Sequence, residues 1–310
     1  MENTRAKTTR NSLILLLTAA IWGMAFVSQS KGMDYMHPFT FNGVRSLIGA
    51  VSILVYILIS RKIAGDKAVP LDWKLNVKAG LLCGIFLTIA STLQQFGIKY
   101  TSVGKAGFIT TLYIIFVPMF GIFLKKKVAP VVWAAAAMAA VGMYLLCMTE
   151  SLRLGAGDIM VFLCAIAFAI QIMTVDHYAA RIDGAVVSCI QFTVCGVVCC
   201  IGALICGQPT FDQLREGLGA LLYAGVLSCG VGYTLQIVGQ KGLNPTVAAL
   251  IMSLESVIAT ISGWIAYKIG LLSTDQTLTG RQIAGCVIVF AAVILVQLPP
   301  EWFRFGKKNV

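Results

Sequence analysis

The chain has 310 residues, 58% of them hydrophobic and 12% charged, with a net charge of +11. Soluble domains carry about 25% charged residues, so this chain cannot cover its surface with polar groups in water. It belongs in a bilayer, where a spanning helix needs roughly 20 mostly apolar residues. The positive balance does not indicate nucleic acid, because the basic residues sit in short connectors and no polar domain carries them.

Ten apolar segments follow one another at 12–31, 38–60, 76–97, 102–124, 130–148, 157–178, 185–206, 217–239, 245–267 and 281–298. The first follows Arg5, Lys7 and Arg10. It is longer than the 7–15 residues of a signal-peptide core and lacks a cleavage site leading into a polar chain, so it reads as a retained span. Backbone polar groups need internal partners in hydrocarbon, which favours helices. Spanning strands would alternate over about ten residues, and these runs do not. Pro38, Pro130 and Pro245 fall at first turns, where a missing N–H costs little. Pro299-Pro300 end the tenth segment, and Pro118, inside the fourth, is predicted to kink it.

With the N-terminus in the cytoplasm, the inner ends hold Arg5, Lys7, Arg10, Arg61, Lys62, Lys67, Lys74, Lys78, Lys125, Lys126, Lys127, Arg181, Lys241, Arg304, Lys307 and Lys308. These sixteen face seven at the outer ends (Lys31, Lys99, Lys105, Arg153, Arg215, Lys268, Arg281), with Arg45 inside the second segment. Excess Lys and Arg mark the cytoplasmic side, so both termini are expected there.

The stretch Leu93-Gln94-Gln95-Phe96-Gly97-Ile98-Lys99 recurs 142 residues later as Leu235-Gln236-Ile237-Val238-Gly239-Gln240-Lys241. Trp22 and Phe168 are 146 apart, as are Arg45 and Gln191. Five helices per half would invert the second half relative to the first. The predicted fold is therefore an all-α integral membrane protein, ten transmembrane helices as two inverted five-helix repeats. Its divisions are a tail at 1–11, repeats at 12–148 and 157–298, and a tail at 299–310. Inverted repeats characterise secondary transporters, whose site lies near the midplane.

Ionisable groups in hydrocarbon cost roughly 2.5–3.5 kcal/mol and mark functional candidates. Arg45 lies about 10 Å in from the outer face at 1.5 Å per residue. It either anchors a carboxylate or phosphate, or forms a structural ion pair or snorkels outward. Glu255, near the midplane, would bind an amine, carry a proton, pair with Arg45 or Lys105, or make a structural hydrogen bond as a neutral acid. Gln171, Thr174 and Gln191 either hydrogen-bond a substrate or join helices. Gln94 and Gln236, near segment ends, are candidate gates, and Lys99 and Lys241 mark turns. Trp22 and Tyr113 either line a cavity or pack. Asp176 and His177 are expected near water or headgroups. Gly23, Gly43, Gly49, Gly104 and Gly107 would let helices approach closely.

Ten Cys lie mostly within apolar runs, without a C-x-x-C and with only two His, so no metal site is expected. No nucleophile motif or phosphate loop is legible, so neither catalysis nor a cofactor is expected.

Several motifs carry a resemblance. They are Ile21-Trp22-Gly23 with Phe26 and Val27, Pro38-Phe39 with Arg45, Tyr100-Thr101-Ser102-Val103, Val117-Pro118-Met119, Gly157-Asp158, Asp183 with Gln191, and Leu254-Glu255-Ser256-Val257. In this order they resemble the EamA-type members of the drug/metabolite transporter superfamily over residues 11–298. Ser256 departs from the proline common in the family, which removes the expected cause of a kink there. The resemblance implies ten helices in two inverted halves around a central cavity. It also implies movement of small metabolites, often export of amino acids, across a cytoplasmic membrane.

The expected function is a secondary transporter of an amino acid or related amphoteric solute, with Arg45 and Glu255 binding opposite charges and Gln171 and Gln191 orienting the solute. The expected partners are that small-molecule substrate and the lipid bilayer, but no nucleic acid. A coupling proton and a homodimer remain open. The alternatives are a passive facilitator, or a non-transporting receptor or membrane enzyme.

Overall fold

The computed structural model describes residues 2–65, 70–124, 130–147, 155–207, 209–273 and 276–297, and among them helices joined by short connectors account for the fold, without strands. Lys67, Lys125, Lys126, Lys127, Arg153, Pro299-Pro300 and the 299–310 tail with Arg304, Lys307 and Lys308 lie outside the described residues.

The first helices are α1 (Glu2–Gly32), α2 (Pro38–Ala64), α3 (Trp73–Ile98), α4 (Val103–Thr111), α5 (Tyr113–Phe123) and α6 (Pro130–Cys147). Then come α7 (Ala156–Tyr178), α8 (Gly184–Gly202), α9 (Phe211–Glu216), α10 (Leu218–Leu222), α11 (Tyr233–Gln240), α12 (Pro245–Met252), α13 (Glu255–Lys268) and α14 (Gly280–Gln297). Wider π-helical turns occupy Ala203–Gly207 and Tyr223–Gly232, the latter joining α10 to α11.

Among the described residues, eight helices are long and apolar enough to span a bilayer: Lys7–Gly32, Pro38–Ala64, Trp73–Ile98, Val103–Phe123, Ala156–Tyr178, Gly184–Cys206, Leu218–Gln240 and Pro245–Lys268. Pro130–Leu145 and Gly280–Leu295 are shorter apolar helices that pack on each other. Large apolar side chains stay outward on the long helices, such as Leu13, Leu17, Val51, Leu58 and Val197. A water-facing surface would not carry so much apolar area, and lipid is its natural solvent.

Helix starts follow sequence chemistry. Pro38 opens α2 behind His37, whose Nδ1 accepts from Phe39 N at 3.3 Å. Burial, and then nearby Lys99, lower the His37 pKa from its ordinary 6.5. Asp72 caps α3 through Leu75 N, so that the helix begins three residues earlier than hydropathy suggested. The stretch before the eighth apolar segment holds α9, whose Thr210 and Gln213 form a reciprocal capping box.

Two spans are interrupted. The fourth breaks at Leu112, and α5 then runs through Pro118. The discontinuity thus precedes the proline by six residues. The ninth breaks at Ser253–Leu254 despite Ser256 standing in place of proline. Ser253 Oγ donates to Leu250 O at 2.7 Å and Ser256 Oγ to Ser253 O at 2.8 Å. Such back-bonding competes with the helical ladder and bends it.

Close helix approaches depend on glycine. A Cβ on Gly97 would collide with Val161 Cγ2 and the Gly157 carbonyl, and one on Gly239 would meet the Leu15 side chain and the Asn11 carbonyl. Gly97 and Gly239 are 142 apart, while Asn11 and Gly157, and Leu15 and Val161, are each 146 apart. Gly23 lets α1 reach the Glu255 carbonyl, and Gly43 and Gly49 bring α2 against α8 and the longer π-helical segment. Gly104 and Gly107 have more room, with nothing closer than 3.4 Å to an added Cβ.

Candidate functional site

The breaks in α4–α5 and α12–α13 set Tyr113 and Glu255 at the first positions of the resumed helices. Tyr113 Oη donates to Glu255 Oε1 at 3.0 Å in the core of the bundle. A carboxylate in the first turn of a helix is favoured by the positive end of the helix dipole. Around this pair is a cavity with about 40 Å³ of free volume, room for a few waters. Its walls include Trp22, Gln29, Arg45, Gln94, Tyr113, Gln171, Gln236 and Glu255. Arg45 and Glu255, on α2 and α13, therefore face one space despite their wide separation along the chain.

Each is 95% or more buried, yet no ion pair joins them. Among the described residues no carboxylate pairs with Arg45, and Glu255 has Tyr113 as its hydrogen-bond partner but no cation. Lys105, the other cation expected as a partner for Glu255, instead bonds Asp158 Oδ2 at 2.6 Å near the other end of α4. Asp158 also accepts from Thr101 at 2.8 Å and from Gly155 N at 2.8 Å, which clamps the start of α4 to the start of α7.

Asn42 holds Arg45, a role that hydropathy and motif do not reveal. Its Oδ1 accepts from Arg45 Nε at 3.0 Å and Nη2 at 2.9 Å. Its Nδ2 donates to Ser91 Oγ at 3.1 Å, Thr92 Oγ1 at 3.3 Å and Cys199 Sγ at 3.2 Å. Cys195 and Cys199, one turn apart on α8, complete this buried polar cluster. They are hydrogen-bonded groups rather than plain apolar packing. The sequence signal for Asn42 is its position three residues before Arg45 on one helix face. Phe41 covers the guanidinium at 5.5 Å from its ring centroid.

The glutamines form a second polar group. Gln236 Nε2 donates to Gln171 Oε1 at 3.2 Å, and Gln171 Nε2 lies 3.5 Å from Gln191 Oε1. Gln191 is fully buried behind Gln171 and is not in the cavity wall. Gln94 donates to Thr110 Oγ1 at 3.2 Å. Gln94 and Gln236, the candidate gates near segment ends, both line the cavity, which extends along α3 and α11. Lys99 and Lys241 are at the helix ends, where Lys241 Nζ donates to Ile182 O at 3.2 Å. Trp22 packs at 4.5 Å against Tyr233 with the rings tilted by 52°, and Tyr233 meets Phe192 edge-on at 5.0 Å. The Trp22 indole N–H, Gln191 Nε2 and Gln29 Oε1 are buried without hydrogen-bond partners. Thr174 Oγ1 bonds back to Ile170 O, and His177 is exposed at the other end of α7. Among the described residues no His, Cys, Asp or Glu group is arranged to hold a metal.

The chain is similar over most of its length to proteins described as uncharacterized transporters. It is 27% identical over 290 residues to an uncharacterized transporter of Archaeoglobus fulgidus, covering 92% of this chain and 84% of that protein. It is 20% identical over 303 residues to the uncharacterized transporter YoaV of Bacillus subtilis, covering 96% and 98%. A protein of known crystal structure shares the fold with a TM-score of 0.73 at 16% identity, over 96% of this chain and 99% of that one. The model of the EamA-like transporter family matches twice, at residues 10–148 and 155–298. This multi-pass, all-helical chain belongs to the EamA-like transporter family, within the drug/metabolite transporter superfamily.

Proposed function

We propose that the protein is a secondary transporter that exports an amino acid or a related amphoteric solute across the cytoplasmic membrane by alternating access. The observation that carries this reading is the pairing of Arg45 and Glu255 in one cavity without an ion pair between them. A buried charge lacking an ionic partner is costly, and a zwitterion would offer one to each. Arg45 suits a carboxylate through its remaining guanidinium N–H groups. Glu255 suits an ammonium group, or a proton when that group is absent. Gln171 would orient the solute from the wall, with Gln191 bracing it from behind. Trp22, a wall residue, adds a partner-free indole N–H to that space.

The architecture we infer is ten spans in two inverted halves, with both termini in the cytoplasm. The apolar α6 and α14 would be the fifth and tenth spans. At 1.5 Å per residue each 18-residue helix is about 27 Å long, near the roughly 30 Å of a bilayer core. The twofold family match, the interruptions at Leu112 and Leu254, and the Gly97 and Gly239 contacts support a repeated plan.

Purified protein in proteoliposomes should move one or more members of a mixture of the twenty ¹⁴C-labelled protein amino acids. Arg45→Ala and Glu255→Gln should each reduce that flux. Wild-type flux in both variants would reject the site, and binding without flux in the wild type would favour a receptor.

A further inference from the structure

A second concavity, lined by residues other than those of the cavity, lies at the end of the bundle where α2 ends and α3 begins. It is a groove of about 480 Å³, and Arg61, Arg181 and Lys241 line it from three separate parts of the chain. Arg61 comes from the last turn of α2, Arg181 from the α7–α8 connector and Lys241 from the end of α11. Two carboxylates share the groove, but both serve main-chain amides. Asp72 Oδ1 accepts from Leu75 N at 3.0 Å, and Asp183 Oδ1 accepts from Ala185 N at 2.9 Å and Val186 N at 3.1 Å. Neither forms an ion pair with Arg181 or Lys241 among the described residues. Lys241 gives one hydrogen bond to Ile182 O, leaving two ammonium donors. Asn76 Oδ1 accepts from Asp183 N at 2.9 Å, tying the groove's two walls together.

The outer rim is apolar. Tyr56 is exposed at the groove, and Val51, Leu54, Val55, Leu58 and Ile59 continue along exposed parts of α2. Three cations beside the Tyr56 hydroxyl and an apolar helix surface match one chemistry, a phosphate carrying acyl chains. Basic pockets between spanning helices on the cytoplasmic side hold anionic lipid headgroups, and Tyr is suited to the headgroup level.

We propose that this groove binds the headgroup phosphate of an anionic phospholipid, with its acyl chains along α2. Free phosphate shares the headgroup's charge, but the continuous apolar surface favours the lipid. The proposal rests on the chain spanning a membrane with this end of the bundle in the cytoplasm, and not on the transport reading, so loss of amino-acid flux would leave its test unaffected.

The test is thermal unfolding of the full chain in a neutral maltoside detergent, titrated with dioleoylphosphatidylglycerol, dioleoylphosphatidylcholine or inorganic phosphate. Phosphatidylglycerol should raise the midpoint, while phosphatidylcholine and inorganic phosphate should not. Arg181→Gln and Lys241→Gln should each raise the half-saturating phosphatidylglycerol concentration about fivefold. Lys74→Gln, a charge on α3 outside the groove wall, should leave it unchanged. Arg181 is exposed and its side chain makes no structural bond among the described residues, so its variant remains informative if Lys241→Gln fails to fold. Equal stabilisation by phosphatidylcholine would mean unspecific lipid contact, and equal stabilisation by inorganic phosphate would mean a free-anion site. Either result, an equal loss in Lys74→Gln, or no midpoint shift at all would overturn the proposal.

Discussion

Replacing Asn42 separates the geometry of Arg45 from its charge. Asn42 Oδ1 receives both Arg45 bonds, at 3.0 and 2.9 Å. Hydrogen bonds to charged groups contribute about 1.5–3 kcal/mol each. Asn42→Leu removes the acceptor and leaves the guanidinium loosely held in a buried site. If only one such contribution is lost from substrate binding, flux at low substrate concentration should fall about 10- to 150-fold. Asn42→Asp retains the acceptor, and Ser91 and Thr92 hydroxyls can turn to donate to the new carboxylate. It also gives Arg45 a permanent counter-ion. Its thermal stability should therefore stay within about 1 kcal/mol of wild type, while its flux should fall as far as that of Asn42→Leu. The assay pairs thermal unfolding in detergent with the concentration dependence of labelled amino-acid flux in proteoliposomes. Wild-type flux from a folded Asn42→Asp protein would refute the reasoning, since the substrate would then not be reading the charge of Arg45.

Three further outcomes follow from contacts at the helix crossings and breaks. Gly97→Ala forces a methyl to 2.8 Å from the Gly157 carbonyl, a main-chain atom, whereas Gly239→Ala first meets the Leu15 side chain at 2.7 Å. Overpacking costs about 1–3 kcal/mol, with Gly97→Ala at the upper end and Gly239→Ala at the lower; thermal unfolding showing the reverse order would contradict the packing argument. Tyr113→Phe removes the hydroxyl donor to Glu255 at 3.0 Å, and flux should fall roughly fivefold for a hydrogen bond of about 1 kcal/mol; unchanged flux would remove that bond from the transport cycle. His37 titrates with a folded-state pKa below its ordinary 6.5, because burial and then Lys99 disfavour its charged form. The unfolded chain takes up that proton first, so the stabilisation is present above 6.5 and is lost as pH falls through the folded value. His37→Asn keeps a capping acceptor and should flatten this acid limb of the unfolding curve, and an unchanged limb would assign it to other groups.

The apolar runs and the prolines at 38, 130 and 245 made the long helices legible, because bilayer thickness and first-turn chemistry act locally. Arg45, Glu255, Gln171, Trp22 and Tyr113 could be found because polar and aromatic groups stand out in a hydrocarbon sequence, and all five line the cavity. What joins them was not legible. The bond from Tyr113 to Glu255 crosses 142 residues, and no local pattern reports such a contact. Asn42 looks like an ordinary polar residue just inside an interface until its cluster with Ser91, Thr92 and Cys199 is assembled in space. The helix break at Ser253–Leu254 arises from serine back-bonding in a stretch that hydropathy treats as continuous. The π-helical Tyr223–Gly232 segment likewise lies in a stretch that hydropathy treats as continuous.

The shared site of Arg45 and Glu255 is tested most directly by competition against labelled amino-acid flux in proteoliposomes, using L-alanine, ethylamine and propionate. In the wild type L-alanine should compete better than either fragment. Arg45→Ala should erase the advantage of L-alanine over ethylamine, which lacks the carboxylate, and Glu255→Gln should erase its advantage over propionate, which lacks the amine. The same wild-type order of competitors in both variants would contradict a site in which these two residues bind the two ends of one solute.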